Sequence, residues 1–250
     1  MPQDLRNIKI TIQYDGTDYH GWQIQNGLRT IQGELTRVLS LIDGREVIVH
    51  GSGRTDAGVH ALGQVASFQF AHPHSTDKLL MAINGNLLPD IRVIRAEEVT
   101  DDFHARFSAK SKLYRYQIFT GRVLSPFLFR YVHQTSYLLN LNAMHEAAKQ
   151  LLGEHDFRSF TVTPEKDMDT TRCLTSLHIG FDHKQELLAF ELSANGFLRY
   201  MVRTIVGTLV DIGRGHLPPN SIPEIFAASS RVAAGTALPA KGLTLVKVDY

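Results

Sequence analysis

The chain has one cysteine, Cys173, in 250 residues. No internal disulfide can form, and such sparse cysteine usage points to a reducing, cytoplasmic compartment. Long apolar runs are also missing. The best stretch, Phe197 to Ile212, is broken by Arg199, Arg203 and Asp211, which excludes a membrane span there. The segment Met1-Pro2-Gln3-Asp4-Leu5-Arg6 lacks the apolar core of a secretory signal. There is no Gly-x-Ser-x-Gly elbow, so Ser/His/Asp hydrolysis has no foothold. Neither a GxxxxGK[ST] loop nor a GxGxxG turn after the first strand occurs, so no nucleotide cofactor is expected. His72 and His74 flank Pro73, but the nearest acid, Asp77, completes no ligand pattern; a surface loop is expected, and no metal.

Acidic residues are absent from Phe103 to His145. The formal net charge of +1 hides this unevenness. The same stretch carries Arg106, Lys110, Lys112, Arg115, Arg122 and Arg130, interleaved with Phe107, Tyr114, Tyr116, Phe127, Phe129 and Tyr131. Basic residues laced with aromatics fit a phosphate-rich partner. The plainer reading is a strand with a solvated basic face.

Periodicity gives the organisation. Ile8 to Tyr14 alternates as a strand, and Ile31, Leu35, Val38, Leu39 and Ile42 form one helical stripe opened by Thr30. Val47 to Val49 and Gln64 to Phe70 read as strands, Ser75 caps a second helix stopped by Gly85 and Pro89, and Ile91 to Ala96 is a strand. The order β-α-β-β-α-β is the split βαβ plan. The second half repeats it. A strand at 112–119, a helix capped by Asn140 or Asn142, and a hairpin of 174–181 with 187–192 come first. A helix at 197–212, a short helix from Asn220 or Ser221 and a strand at 243–248 follow. The expected fold is α+β, with two split βαβ, ferredoxin-like halves at 1–105 and 106–250. Their antiparallel sheets are expected to join over a central cleft.

One loop concentrates the chemistry. Gly51-Ser52-Gly53-Arg54-Thr55-Asp56-Ala57-Gly58-Val59-His60 holds a single carboxylate among residues too small to fill a core. Such a run lets another molecule approach the backbone, although most Asp-Ala-Gly segments are solvated turns. A glycosidase needs a second carboxylate, and none lies near Asp56 in sequence. On the 197–212 helix, Leu198, Met201, Val202, Ile205 and Leu209 form the buried stripe, with Arg199 and Arg203 along one margin. An arginine there either snorkels to solvent or pairs with a buried acid. If the acid is Asp56, that carboxylate stays ionised and serves as nucleophile or electrostatic stabiliser.

These segments together resemble the tRNA pseudouridine synthase A family. The resemblance is carried by Gly53 to Ala61, by Tyr14-Asp15-Gly16-Thr17 with Gly21-Trp22-Gln23-Ile24-Gln25, and by Thr30 to Leu35. His104 to Ala109 with Tyr114-Arg115-Tyr116, Asn195 to Leu198 with Met201-Val202-Arg203, and Gly242 to Val248 extend it along the chain. Cys173, Thr244 and the tryptophan-free Tyr131-Val132-His133 depart from the family pattern. The resemblance implies isomerisation of uridine to pseudouridine at family positions 38–40 of the tRNA anticodon stem-loop. It implies Asp56 as the catalytic carboxylate, Tyr114 packed on the target base and Arg203 paired with Asp56. Arg54 would hold the base out of the stem, and Arg106, Lys110, Lys112 and Arg115 would meet phosphates. It also implies a homodimer and no cofactor, since the reaction is neither redox nor hydrolytic. Two other classes fit parts of the sequence. A non-catalytic RNA-binding module suits paired α+β halves with strand aromatics, but no RNP-type run is present. An enzyme on free nucleotides has no need of so long a basic tract.

Overall fold

The computed structural model describes residues 5–162 and 167–250. The N-terminal residues read for a secretory signal fall largely outside that range. The fold is mixed α+β and gathers into two compact units. One runs to Lys110 and includes Leu245–Tyr250; the other is Ser111–Thr244.

In the first unit, β1 (Arg6–Tyr14), β2 (His50–Gly51), β3 (His60–Phe70) and β4 (Ile91–Val99) are joined by α1 (Ile31–Asp43) and α2 (Thr76–Asn86). The strand order is β4-β1-β3, with β2 on β3, and the C-terminal strand, called β10 below, lies beyond β3. β1 is antiparallel to both neighbours. Its alternation puts Ile8, Ile10 and Ile12 in the core at zero exposure, each stabilising by about 1.5–3 kcal/mol. Thr30 and Ser75 cap α1 and α2 as expected, their hydroxyls accepting from the amides of Gly33 and Lys78. Three boundaries differ from the pattern reading. Val47 and Val49 are buried without joining a ladder, and pairing begins only at His50. β3 starts at His60, before the alternating stretch. α2 runs through Gly85 to Asn86.

The second unit orders its strands β5-β9-β8-β7. These are β5 (Ser111–Phe119), β7 (Gly153–Asp156), β8 (Thr171–Asp182) and β9 (Leu187–Ala194), all antiparallel; β6 (His133–Gln134) adds a short parallel rung to β5. Asn140 caps α3 (Leu141–Lys149), and α5 (Ile222–Ala228) follows Ser221. β10 (Leu243–Asp249) closes the chain.

The helix α4 corrects the sequence reading twice. It spans Met201–Gly213 and does not begin at Phe197, because Tyr200 adopts a left-handed conformation with φ 63°. Arg199 therefore precedes the helix and shares no helical margin with Arg203. Beyond the expected stripe, Thr204, Val206, Gly207, Thr208, Val210 and Ile212 are buried as well. A helix apolar nearly all round is enclosed on most sides.

Replacing fully buried Ile205 with Ala should cost about 2–4 kcal/mol through lost contact and a residual cavity. Met81→Ala, at a side chain 70% exposed, should cost under about 0.5 kcal/mol. Urea titration of both variants checks this, and equal midpoint shifts would contradict the assigned core.

Candidate active site

The segment between β2 and β3 carries Asp56. It is short, has no regular structure, and consists mostly of residues too small to hold a shape by packing. Its shape comes from hydrogen bonds on both sides of Asp56. The Thr55 carbonyl accepts from the Trp22 amide at 3.0 Å, the Gly58 amide donates to the Tyr19 carbonyl at 3.3 Å, and the Val59 amide closes a turn onto the Asp56 carbonyl at 3.1 Å.

The clamp on that loop is the segment between β1 and α1. Trp22 is 2% exposed and anchors it. Gly21 has φ +87°, and a Cβ there would lie 2.5 Å from the Thr55 carbonyl oxygen. Glycine is required by both conformation and space. Gly51 is required by space alone, since its Cβ would meet the Trp22 indole at 2.5 Å. The carbonyls of Gly21 and Trp22 accept from the Ile31 and Gln32 amides. Those are first-turn donors of α1 that have no partner inside the helix. The start of α1 and the Asp56 loop thus share one clamp.

Below the loop lies a buried polar network. Tyr14 Oη and Thr55 Oγ1 are 2.8 Å apart. Gln64 Nε2 donates to the Gly53 carbonyl at 3.1 Å and reaches Tyr14 Oη at 3.5 Å. Gln64 Oε1 accepts from Ser52 Oγ at 2.7 Å. The β1–β3 register slips between Ile12 and Tyr14, and such irregularities re-aim side chains. Burial pushes the Tyr14 phenol up to about 12, so it remains a neutral hydroxyl at any physiological pH. Asp56 itself is half-buried, with Ala57 and Arg54 exposed beside it. The result is a half-buried carboxylate on a hydrogen-bonded backbone, flanked in sequence by the small side chains of Thr55 and Ala57.

The second unit carries two further residues named from sequence. Tyr114 on β5 is 7% exposed and meets the Phe197 ring edge-on at 5.1 Å. Arg203, in the first turn of α4, is half-buried. Its Nε donates to the Leu238 carbonyl at 2.6 Å, and the Leu238 amide donates to the Arg203 carbonyl. The guanidinium lies 4.3 Å from the Tyr200 ring centroid. Arg203 is therefore fastened along its length and does not simply extend into solvent. Nearby Tyr116 donates to the Pro239 carbonyl, and burial raises its phenol well above the usual range.

The basic residues divide by context. Arg54, Arg106 and Lys110 are exposed. Lys112 is half-buried on β5. Arg115 pairs across strands with Glu191, at 2.7 Å and 2.8 Å. The acid-free tract thus meets an acid supplied by β9, a pairing that sequence separation hides.

The family profile described as tRNA pseudouridine synthase matches residues 10–108 and 147–250, which contain both this loop and α4. The chain belongs to the tRNA pseudouridine synthase family. Proteins named tRNA pseudouridine synthase A are similar along the whole length. That of Solibacter usitatus is 42% identical over 98% of this chain and 100% of its own. That of Ruminiclostridium cellulolyticum is 43% identical with the same coverage. That of Streptococcus pyogenes is 39% identical over 97% of this chain and 98% of its own.

Sequence reasoning missed the support beneath Asp56. Gln64 carried a signal, since it is a polar side chain inside the buried stretch of β3 from Gly63 to Phe68. Gln64→Leu should leave the Gly53 carbonyl without its amide donor and take one partner from each of the Ser52 and Tyr14 hydroxyls, costing about 1–3 kcal/mol. Thermal and urea unfolding measure the loss; wild-type stability for this variant would show the network to be dispensable.

Proposed function

We propose that this chain isomerises uridine to pseudouridine in tRNA, with Asp56 as the catalytic carboxylate. The observation that carries the reading is the clamped loop presenting Asp56 inside the region that matches the family. The reaction breaks the bond from C1′ of the ribose to N1 of uracil and forms one from C1′ to C5. The proton lost from C5 is balanced by one gained at N1, so no electrons leave or enter the substrate. A carboxylate is suited to this step because it assists departure of uracil and steadies the positive charge that grows at C1′.

In the same reading Arg203 supplies the counter-charge that keeps Asp56 ionised, and Tyr114 packs on the turning base. Arg54 holds the uridine out of its stem, since a stacked and paired base cannot reach a protein carboxylate. Arg106, Lys110, Lys112 and Arg115 bind the phosphate backbone, the last in exchange with its Glu191 partner. The targets are uridines of the anticodon stem-loop, at positions 38–40, in the cytoplasm. The active form is a homodimer, and each half of the chain is a variant of the split βαβ plan.

The test uses a tRNA transcript tritiated at C5 of uridine, since C–C bond formation releases that label to water. The wild-type protein should release it with no added cofactor. Asp56→Asn keeps the shape but lacks the charge and should lower release by at least a thousandfold, with tRNA affinity near wild type. Release by the Asn variant at the wild-type rate would remove Asp56 from the mechanism, whereas a wild type that binds the transcript and releases no label would favour a protein that only binds RNA.

Arg203→Met keeps the aliphatic stem while deleting the charge. With its counter-charge gone, the Asp56 carboxyl should favour the neutral form, so turnover should fall and recover in part as pH rises. An undiminished rate with an unshifted pH profile would show that Arg203 has another role.

A further inference from the structure

Phe107 is the most conspicuous side chain of the first unit that the reaction does not use. Its ring is 77% exposed, yet the backbone beneath it is firmly held. The amides of Arg106 and Phe107 both point to His104 Nδ1, at 3.1 and 3.4 Å. The His104 amide donates to Ser108 Oγ at 3.1 Å, and the Ser108 amide returns to the His104 carbonyl at 2.9 Å. Ala105, fully buried at the centre of the turn, donates to Ser67 Oγ at 3.0 Å and accepts from the Tyr250 hydroxyl at 2.8 Å.

The rings on this turn form a row. The Phe107 and His104 centroids are 4.5 Å apart with planes 33° from parallel, and His104 and His50 are 4.7 Å apart at 42°. The Arg106 guanidinium lies 5.7 Å from the Phe107 centroid. Because His104 Nδ1 accepts two amides, its ring proton sits on Nε2. Partial burial, His50 and Arg106 all favour the uncharged imidazole.

We propose that the Phe107–His104 row is a stacking platform for an unpaired base of the bound RNA. The proposal rests on the RNA-binding reading given above. A flat, fixed aromatic face in water suits a nucleobase, because every base has a π-face and loses little by leaving solvent on that side. Charge agrees with this occupant. Arg106 and Lys110, both exposed, lie on the turn and just past it, where they can take the flanking phosphates. Glu46, Asp101 and Asp102, with Arg45 the one opposing cation, line a cavity beside His50 and His104, and this net acidic lining favours passage of the strand's backbone on the Arg106 side. A base seated on Phe107 also lies within the reach of the substrate arm. His50 stands six residues before Asp56, so their Cα atoms are no more than about 22 Å apart. With the ring-to-ring steps of 4.7 and 4.5 Å from His50 through His104 to Phe107 added, the span is on the order of nine stacked nucleotides at about 3.4 Å each.

The experiment measures affinity for an unmodified tRNA transcript by filter binding across a salt series, with Phe107→Ala, Phe107→Leu and Phe107→Trp. Loss of one stacked base should weaken binding by about 5- to 100-fold in the Ala variant. Trp should restore affinity to within about twofold, and Leu should not. The slope of affinity against salt should stay at the wild-type value, because no charge has changed. Several outcomes overturn the proposal: unchanged affinity of Phe107→Ala, Leu serving as well as Trp, or an altered salt slope. It is overturned equally if Phe107→Ala changes the oligomeric state in sedimentation, which would seat the ring against a second copy of the chain, or if the wild type does not bind the transcript. Binding is read without turnover. A wild type that binds tRNA with a Phe107-dependent affinity but never forms pseudouridine would refute the enzymatic reading and leave the platform standing.

Discussion

Beneath Asp56, the amide of Gln64 and the phenol of Tyr14 hold up a loop whose own side chains give it little shape. The residues from Ser52 to Gly58 bring no large side chain except Arg54, which is exposed. A loop of small residues would ordinarily sample many conformations, and fixing each residue costs about 1–2 kcal/mol. Here the cost is met from outside the loop. Gln64 and Tyr14 sit on β3 and β1, the two central partners of the first sheet, so the network transmits the rigidity of the strands to Gly53 and Thr55. In a dry interior each partner is hard to replace, because a lost bond leaves a polar group without water.

The same economy of parts recurs in the clamp. Trp22 fills the space that Gly51 leaves open, while the backbone around it bonds Thr55 in one direction and the first turn of α1 in the other. Helix, clamp and loop therefore form or fail together. The small side chains beside Asp56 then have a positive purpose: they leave the carboxylate approachable, and the surrounding structure supplies the order they cannot. Ser52 takes part on two fronts, donating to Gln64 and lying against the Tyr250 hydroxyl that also holds the Phe107 turn.

Much of the architecture was legible where the cause is local. Thr30, Ser75 and Asn140 cap their helices through their own hydroxyl or amide oxygen, three residues from the amide they accept. Strands such as β1 betray themselves by strict alternation. Legibility failed where the cause is distant or breaks a pattern. The apolar run from Phe197 reads as continuous helix, yet the left-handed Tyr200 delays α4 to Met201. Strand β7 is largely exposed and polar, so no alternation marks it. The Arg115–Glu191 pair joins residues 76 positions apart, and the acid-free tract gave no hint of it. Around the candidate site, the small-residue loop stood out in sequence, whereas its support came from Tyr14, Trp22 and Gln64, whose bonds are set only by the folded register.

The central claim is that the Asp56 loop is held in one shape before any RNA arrives. Native-state hydrogen exchange of the RNA-free protein tests it most directly at the amides of Trp22, Gly58 and Val59. All three donate within the clamp or the turn, so they should exchange together and slowly, with protection approaching that of the β1–β3 ladder. Exchange at rates typical of an open surface loop, with β1 and β3 still protected, would contradict the account and make the shape of the site a consequence of RNA binding.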